Sequence, residues 1–144
     1  MNNHIVTRIL LVLAVFLFLW VVVGPFLSLW GGDIFYRIEQ PVPVLEVRED
    51  TVVLKFHRFA LLPMDGMCAR SLSCFAVEHF PAEPCPLVPG WTDVIRILPL
   101  TKTALNSGSG PCTYQGTVTF SPLGFLVPRM TEYWESEPFE APRE

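Results

Sequence analysis

From Ile9 to Gly32 no side chain can ionise, and Leu, Val, Phe and Trp dominate these 24 consecutive positions. A bilayer core of about 30 Å needs about 20 helical residues to cross it, so the pattern predicts a transmembrane helix over residues 9–30. Residues 1–8 would form a short cytoplasmic end. Gly24 and Pro25 should bend the last third of the helix, because Pro25 has no N–H for the carbonyl of Val21 and its ring crowds that turn. Trp30 suits the outer membrane interface, where an amphipathic indole prefers to sit. A cleaved signal peptide would have a shorter apolar region, about 7 to 15 residues, and a small-x-small exit; the run here is longer and its exits lack that pattern.

Past the helix the apolar positions change period. In Cys112–Phe120 the residues Cys112, Tyr114, Gly116, Val118 and Phe120 alternate with Thr113, Gln115, Thr117 and Thr119. That period of two marks a half-buried strand. Thr51–Phe56 repeats it with Val52, Leu54 and Phe56, and Pro43–Arg48 offers an earlier strand joined to it through Arg48-Glu49-Asp50. Ser71–His79 and Thr92–Leu98 are further strands, and Val94–Leu98 reads as the more central one. Phe80–Gly90 packs four prolines into eleven residues, and Asn106–Pro111 is rich in Gly and Ser; both read as connections, since neither suits a helix or a central strand.

Short strands joined by Pro- and Gly-rich loops make the chain mainly β. The expected fold is a small antiparallel β-sandwich of immunoglobulin-like type after one helix, with a small β-barrel as runner-up. The expected division is a linker over residues 31–42, an exported sandwich over 43–130, and an acidic disordered tail over 131–144. At 144 residues there is room for one such domain.

Charge narrows the partners. After Arg8 nine basic residues face all fourteen acids, and no Lys/Arg cluster appears, which disfavours nucleic acid and anionic lipid headgroups. The lipid bilayer and a protein partner remain, and a homo-oligomer is allowed for. With Arg8 before the helix and mixed charges after it, the positive-inside rule keeps the N-terminus in the cytoplasm and exports the rest.

Four cysteines, Cys68, Cys74, Cys85 and Cys112, all follow the helix. An even count in an exported domain points to disulfides. Cys68 with Cys74 and Cys85 with Cys112 is the favoured pairing; Cys74 with Cys112, bridging two sheets, stays open. Zinc could accept Cys68, Cys74, His79 and Cys85, but their spacing matches no common finger, so no metal or other cofactor is expected. His57 reads as a solvent-facing strand residue and Asp65 as part of a turn. No catalytic constellation is apparent, and the chain is not expected to be an enzyme.

Gly110-Pro-Cys-Thr-Tyr114 leads into the last alternating strand, and Ser121-Pro-Leu-Gly124 closes it. With the preceding anchor, this layout resembles small signal-anchored membrane proteins of tailed bacteriophages and prophages with an exported immunoglobulin-like β domain. The resemblance implies a bacterial inner membrane and a periplasmic domain, and names no activity.

The expectation is therefore a membrane-tethered binding or assembly module. Its candidate partner surface is Leu123, Phe125, Leu126 and Val127, an apolar run between two prolines. A holin-like lysis protein is an alternative, because some phage holins resemble this layout. An accessory subunit of a larger membrane complex is another.

Overall fold

A backbone in lipid has no water to bond, so an apolar segment must satisfy its N–H and C=O groups within itself, and a helix does so locally. The computed structural model, which describes residues 3–26, 32–102, 110–122 and 129–142, has such a helix, α1, over Asn3–Phe26. At 1.5 Å per residue its length is about 36 Å, enough to cross a membrane. It begins six residues before Ile9, with Thr7 Oγ1 donating to the Asn3 carbonyl at 2.8 Å. Just ahead of Gly24-Pro25, where a bend is expected, the helix has one π-helical turn over Leu19–Val23, closed by the Gly24 N–H on the Leu19 carbonyl. The wider turn fits a proline that can neither donate nor tolerate a close carbonyl behind it. Trp30 lies outside the described residues.

The remainder is two antiparallel sheets. In the first, β3 (Thr51–Ala60) has β1 (Tyr36–Ile38) and β2 (Val44–Val47) on one side and β6 (Gly90–Pro99) on the other. In the second the order is β5 (Val77–Leu87), β4 (Met64–Ser73), β7 (Pro111–Phe120), β8 (Met130–Glu135), with β9 (Phe139–Glu140) also on β7. A four-residue helix, α2 (Gly32–Phe35), precedes β1. Two faced sheets make this a sandwich and not a barrel. The hairpin expected at Arg48-Glu49-Asp50 joins β2 to β3, with the Arg48 N–H on the Thr51 carbonyl at 2.8 Å.

The alternation read in β7 holds: Cys112, Tyr114, Val118 and Phe120 are buried against Tyr36, Leu54, Leu72 and Met130. Gly116 keeps its place in that series because its β8 partner Trp134 lies over it; a Cβ at Gly116 would come within 2.5 Å of the indole. Trp134 then meets Phe56 of the opposite sheet edge to face, with centroids 4.8 Å apart.

Several expectations need correction. Residues 31–42 are not a linker, since Tyr36 and Val42 are core residues. Nor is the segment 131–142 a disordered tail: β8 and β9 carry Trp134 and Phe139 into the core. The Pro-rich Phe80–Gly90 is mostly strand, because β5 is an edge and Pro81, Pro84 and Pro86 need no partner on its open side. Ser71–His79 is not one strand but the end of β4, a turn, and the start of β5. β6 pairs with β3 alone among the described strands, so Val94–Leu98 is not central.

The disulfides also differ from the favoured pairing. Cys68 of β4 is bonded to Cys85 of β5, and Cys74, just past β4, to Cys112 of β7. Cys68 and Cys74 follow one extended strand and would lie about 20 Å apart, beyond disulfide reach. Cys74–Cys112 joins neighbouring strands of one sheet instead of bridging two. The four would-be zinc ligands are not brought together, and His79 sits exposed on β5 opposite Ser71.

Candidate partner-binding surface

An edge strand offers unpaired N–H and C=O groups to any passing chain, and folded proteins blunt such edges with prolines, charge or brevity. β5 has three prolines, β2 has four residues, and β8 has six with three glutamates nearby or within it, Glu132, Glu135 and Glu137. β6 differs, running ten residues with its only proline at the last position.

Which of its backbone groups are free follows from β3. The Lys55 N–H goes to the Pro43 carbonyl and the His57 carbonyl accepts from Glu39, so the odd-numbered residues of β3 serve β1 and β2. By antiparallel alternation its even-numbered residues serve β6. Their partners are Leu98, Arg96, Val94 and Thr92, which leaves the groups of Asp93, Ile95 and Ile97 pointing away from the sheet.

Those same odd positions project from the outer face. Trp91, Ile95 and Ile97 are 51%, 61% and 59% exposed. Trp91 is held while exposed: the His57 ring stacks on it at 4.6 Å and 12°, Phe59 tilts against it at 5.4 Å, and Arg37 lies 5.7 Å from its centroid. His57 Nδ1 is 2.5 Å from Asp93 Oδ1. The His57 hydrogen bond, helped by Lys55, holds the Asp93 carboxyl below its ordinary range. His57 is thus the surface strand residue expected of it, and its ring fixes Trp91. A side chain ordered in advance loses less entropy on binding.

The inner face of β6 borders a cleft of about 90 Å³ between the sheets. Val94, Arg96 and Leu98 form one wall, and Arg58, Arg70, Glu83 and the Cys68–Cys85 bridge form much of the rest over Tyr36 and Trp134. Arg70 Nη1 is 3.5 Å from Glu83 Oε2 and its guanidinium lies over Phe80. Its buried Nε has no partner among the described residues. Burial raises the Tyr36 hydroxyl above its ordinary range, opposed by the charge and hydrogen bond of Arg58.

A second ionisable pair lies where the sandwich begins. Glu132 of β8 is pushed up to about 7, first by burial, then by the Asp33 carboxyl of α2, both through its charge and through a hydrogen bond.

Leu123, Phe125, Leu126 and Val127 lie outside the described residues. Sequence reasoning missed Trp91, Ile95 and Ile97 because apolar residues at both parities suggested a strand covered on both faces. The signal available was Asp93 and Arg96, one charge on each face. No family model matches the chain, and the searches of curated proteins and of solved structures return no match.

Proposed function

We propose that this chain is a membrane-tethered module that works outside the cytoplasm, captures a protein partner along β6, and has no catalytic activity of its own. The observation that carries the reading is the ten-residue β6 edge, which has no proline before Pro99 and presents exposed Trp91, Ile95 and Ile97. Such an edge can take an added strand, with main-chain bonds giving affinity and side chains specificity.

The apolar helix supports a tether. Two disulfides and no free cysteine suit an oxidising compartment. Between Phe26 and Gly32 even a fully extended chain reaches only about 22 Å, which keeps the sandwich near the bilayer. The proposed setting is a bacterial inner membrane with the N-terminus inside, as in the phage-encoded proteins that the layout resembles.

An immunoglobulin-like reading of the sandwich belongs to the same proposal. Strands β2, β3 and β6 take the places A, B and E, and β5, β4, β7 and β8 take C′, C, F and G. Tyr114, near the start of β7, donates its hydroxyl to the Pro99 carbonyl at the end of β6, as a tyrosine corner does.

The test is photocrosslinking in cells from a probe at Ile97, with and without Ile95→Lys. A crosslinked protein adduct that disappears in I95K, while both disulfides stay formed, is the expected result. An adduct unchanged by I95K would refute capture along β6.

A further inference from the structure

Resting on that reading, we propose that the captured segment is an extended strand bearing a carboxylate side chain, which Arg96, Arg70 and Arg58 receive in the cleft between the sheets.

The argument begins with parity. A strand added to β6 hydrogen-bonds to Asp93, Ile95 and Ile97, and its side chains opposite them share their outer face. The residue opposite Arg96 therefore points inward, over the cleft mouth. The added strand thus meets apolar groups at Ile97 and Ile95 and a guanidinium between them.

Charge then chooses the residue type. Nine basic side chains follow the helix against fourteen acids, yet among the described residues three arginines line this one cleft with Glu83 as the only acid. Glu83 is more exposed than not and stands 3.5 Å from Arg70, a long contact for an ion pair. A buried guanidinium nitrogen without a partner is costly, and Arg70 Nε is one. An incoming carboxylate would supply charge to Arg96 at the mouth and to Arg70 and Arg58 behind it. Arginine suits this role because its planar fork holds an oxyanion at two points.

A second copy of the chain fits less well. Two β6 strands paired about a twofold axis at Ile95 would set Arg96 opposite Val94, leaving the arginines without an anion. The expected segment, read against Ile97, Arg96 and Ile95, is apolar, acidic, apolar, with a basic residue opposite Asp93.

The experiment uses the full chain in detergent micelles and fluorescein-labelled ten-residue peptides. One alternates valine with glutamate; two controls replace glutamate by glutamine or by lysine. Expected is at least tenfold tighter binding of the glutamate peptide, a preference lost in Arg96→Gln and reduced but not abolished in Arg96→Lys, with near-ultraviolet circular dichroism unchanged. Equal binding of the glutamate and glutamine peptides would overturn the carboxylate proposal, and so would binding of none. Competition by free acetate at the concentration of the peptide would also overturn it, reducing the cleft to a small-anion site. If the Ile97 crosslink persists in any of these cases, the capture reading survives and this inference alone fails.

Discussion

Replacing Cys74 and Cys112 together by Ala should cost about 4 kcal/mol, and replacing Cys68 and Cys85 about 3 kcal/mol. The values come from the chain entropy that a crosslink removes from the unfolded state, −2.1 − 1.5R ln n cal/mol/K, with separations n of 38 and 17 residues. The two loops interleave, so neither bridge makes the other redundant. With Cys68–Cys85 closed, the shortest path from Cys74 to Cys112 is still about 34 steps, and loop entropy varies only logarithmically with that number. Losing both should therefore cost about 7 kcal/mol, comparable with the whole stability of an ordinary domain, about 5 to 15 kcal/mol.

The assay is urea unfolding of the full chain in micelles, followed by the fluorescence of Trp91 and Trp134. With a slope of about 1.5 kcal/mol/M for a small domain, about 4 kcal/mol moves the midpoint down by about 2.7 M. A Cys74/Cys112 variant with the parent's midpoint would refute the reasoning, as would a larger loss from the shorter loop. Pairing needs a separate check, because trypsin leaves Cys74 and Cys85 on one peptide, residues 71–96. Adding a protease that cuts after Glu78 separates them. Peptides joined through Cys68–Cys85 and Cys74–Cys112 are expected.

Gly116→Ala should destabilise by about 1 to 3 kcal/mol, since the new methyl would need the place of the Trp134 indole; an unchanged melting temperature would contradict this. Tyr114→Phe should cost about 1 to 2 kcal/mol by orphaning the Pro99 carbonyl, read from the same urea curves, and a neutral result would deny the bond its role. Glu132, raised from 4.5 to about 7 in the fold, retains a proton that the unfolded chain releases between those values. Stability from this group is therefore full below pH 4.5 and falls as pH rises through 7. The conversion allows at most about 3 kcal/mol, and solvent screening of a half-exposed group cuts that to about 1 kcal/mol. Glu132→Gln should flatten the fall in urea midpoint across pH 4.5 to 8, and equal slopes in parent and variant would exclude it.

How far the sequence carried depended on where burial is one-sided. β7 was legible residue by residue because one face meets the core and the other water, so its alternation is clean. The β2–β3 hairpin was legible from its connection Arg48-Glu49-Asp50 and not from facing, since Leu45 and Val47 of β2 are exposed and Val52, Val53 and Leu54 of β3 are buried in succession. β5 was hidden because prolines signal loops, and only the pairing order reveals that an edge strand can accept them. β8 and β9 were hidden because Tyr133 and Trp134 are adjacent, glutamates surround them and Glu132 shares the inward parity of Met130 and Trp134, so no alternation stood out from the acidic composition. The cleft was not legible at all: Arg58, Arg70 and Arg96 come from three strands, and only the facing of two sheets brings them together.

A ten-residue edge that has no neighbour among the described residues invites self-association, and prolines before Pro99 would have prevented it at the cost of closing the edge to every partner. Charge placement offers a selective remedy. In a continuous antiparallel sheet formed by two copies, paired residues share a face, so the numbers of each pair must have an even sum. Asp93 and Arg96 sum to an odd number, and no register of β6 with itself can set them opposite each other. Self-pairing thus brings neither charge a counterion from the second copy and leaves Asp93 with His57 of its own sheet, whereas a partner strand can carry an acid for Arg96 and a base for Asp93. Asp93→Asn with Arg96→Gln should remove this discrimination, and the doubly substituted chain in micelles should shift toward dimers by analytical ultracentrifugation. A purely monomeric double variant would mean that something other than these two charges keeps the edge apart.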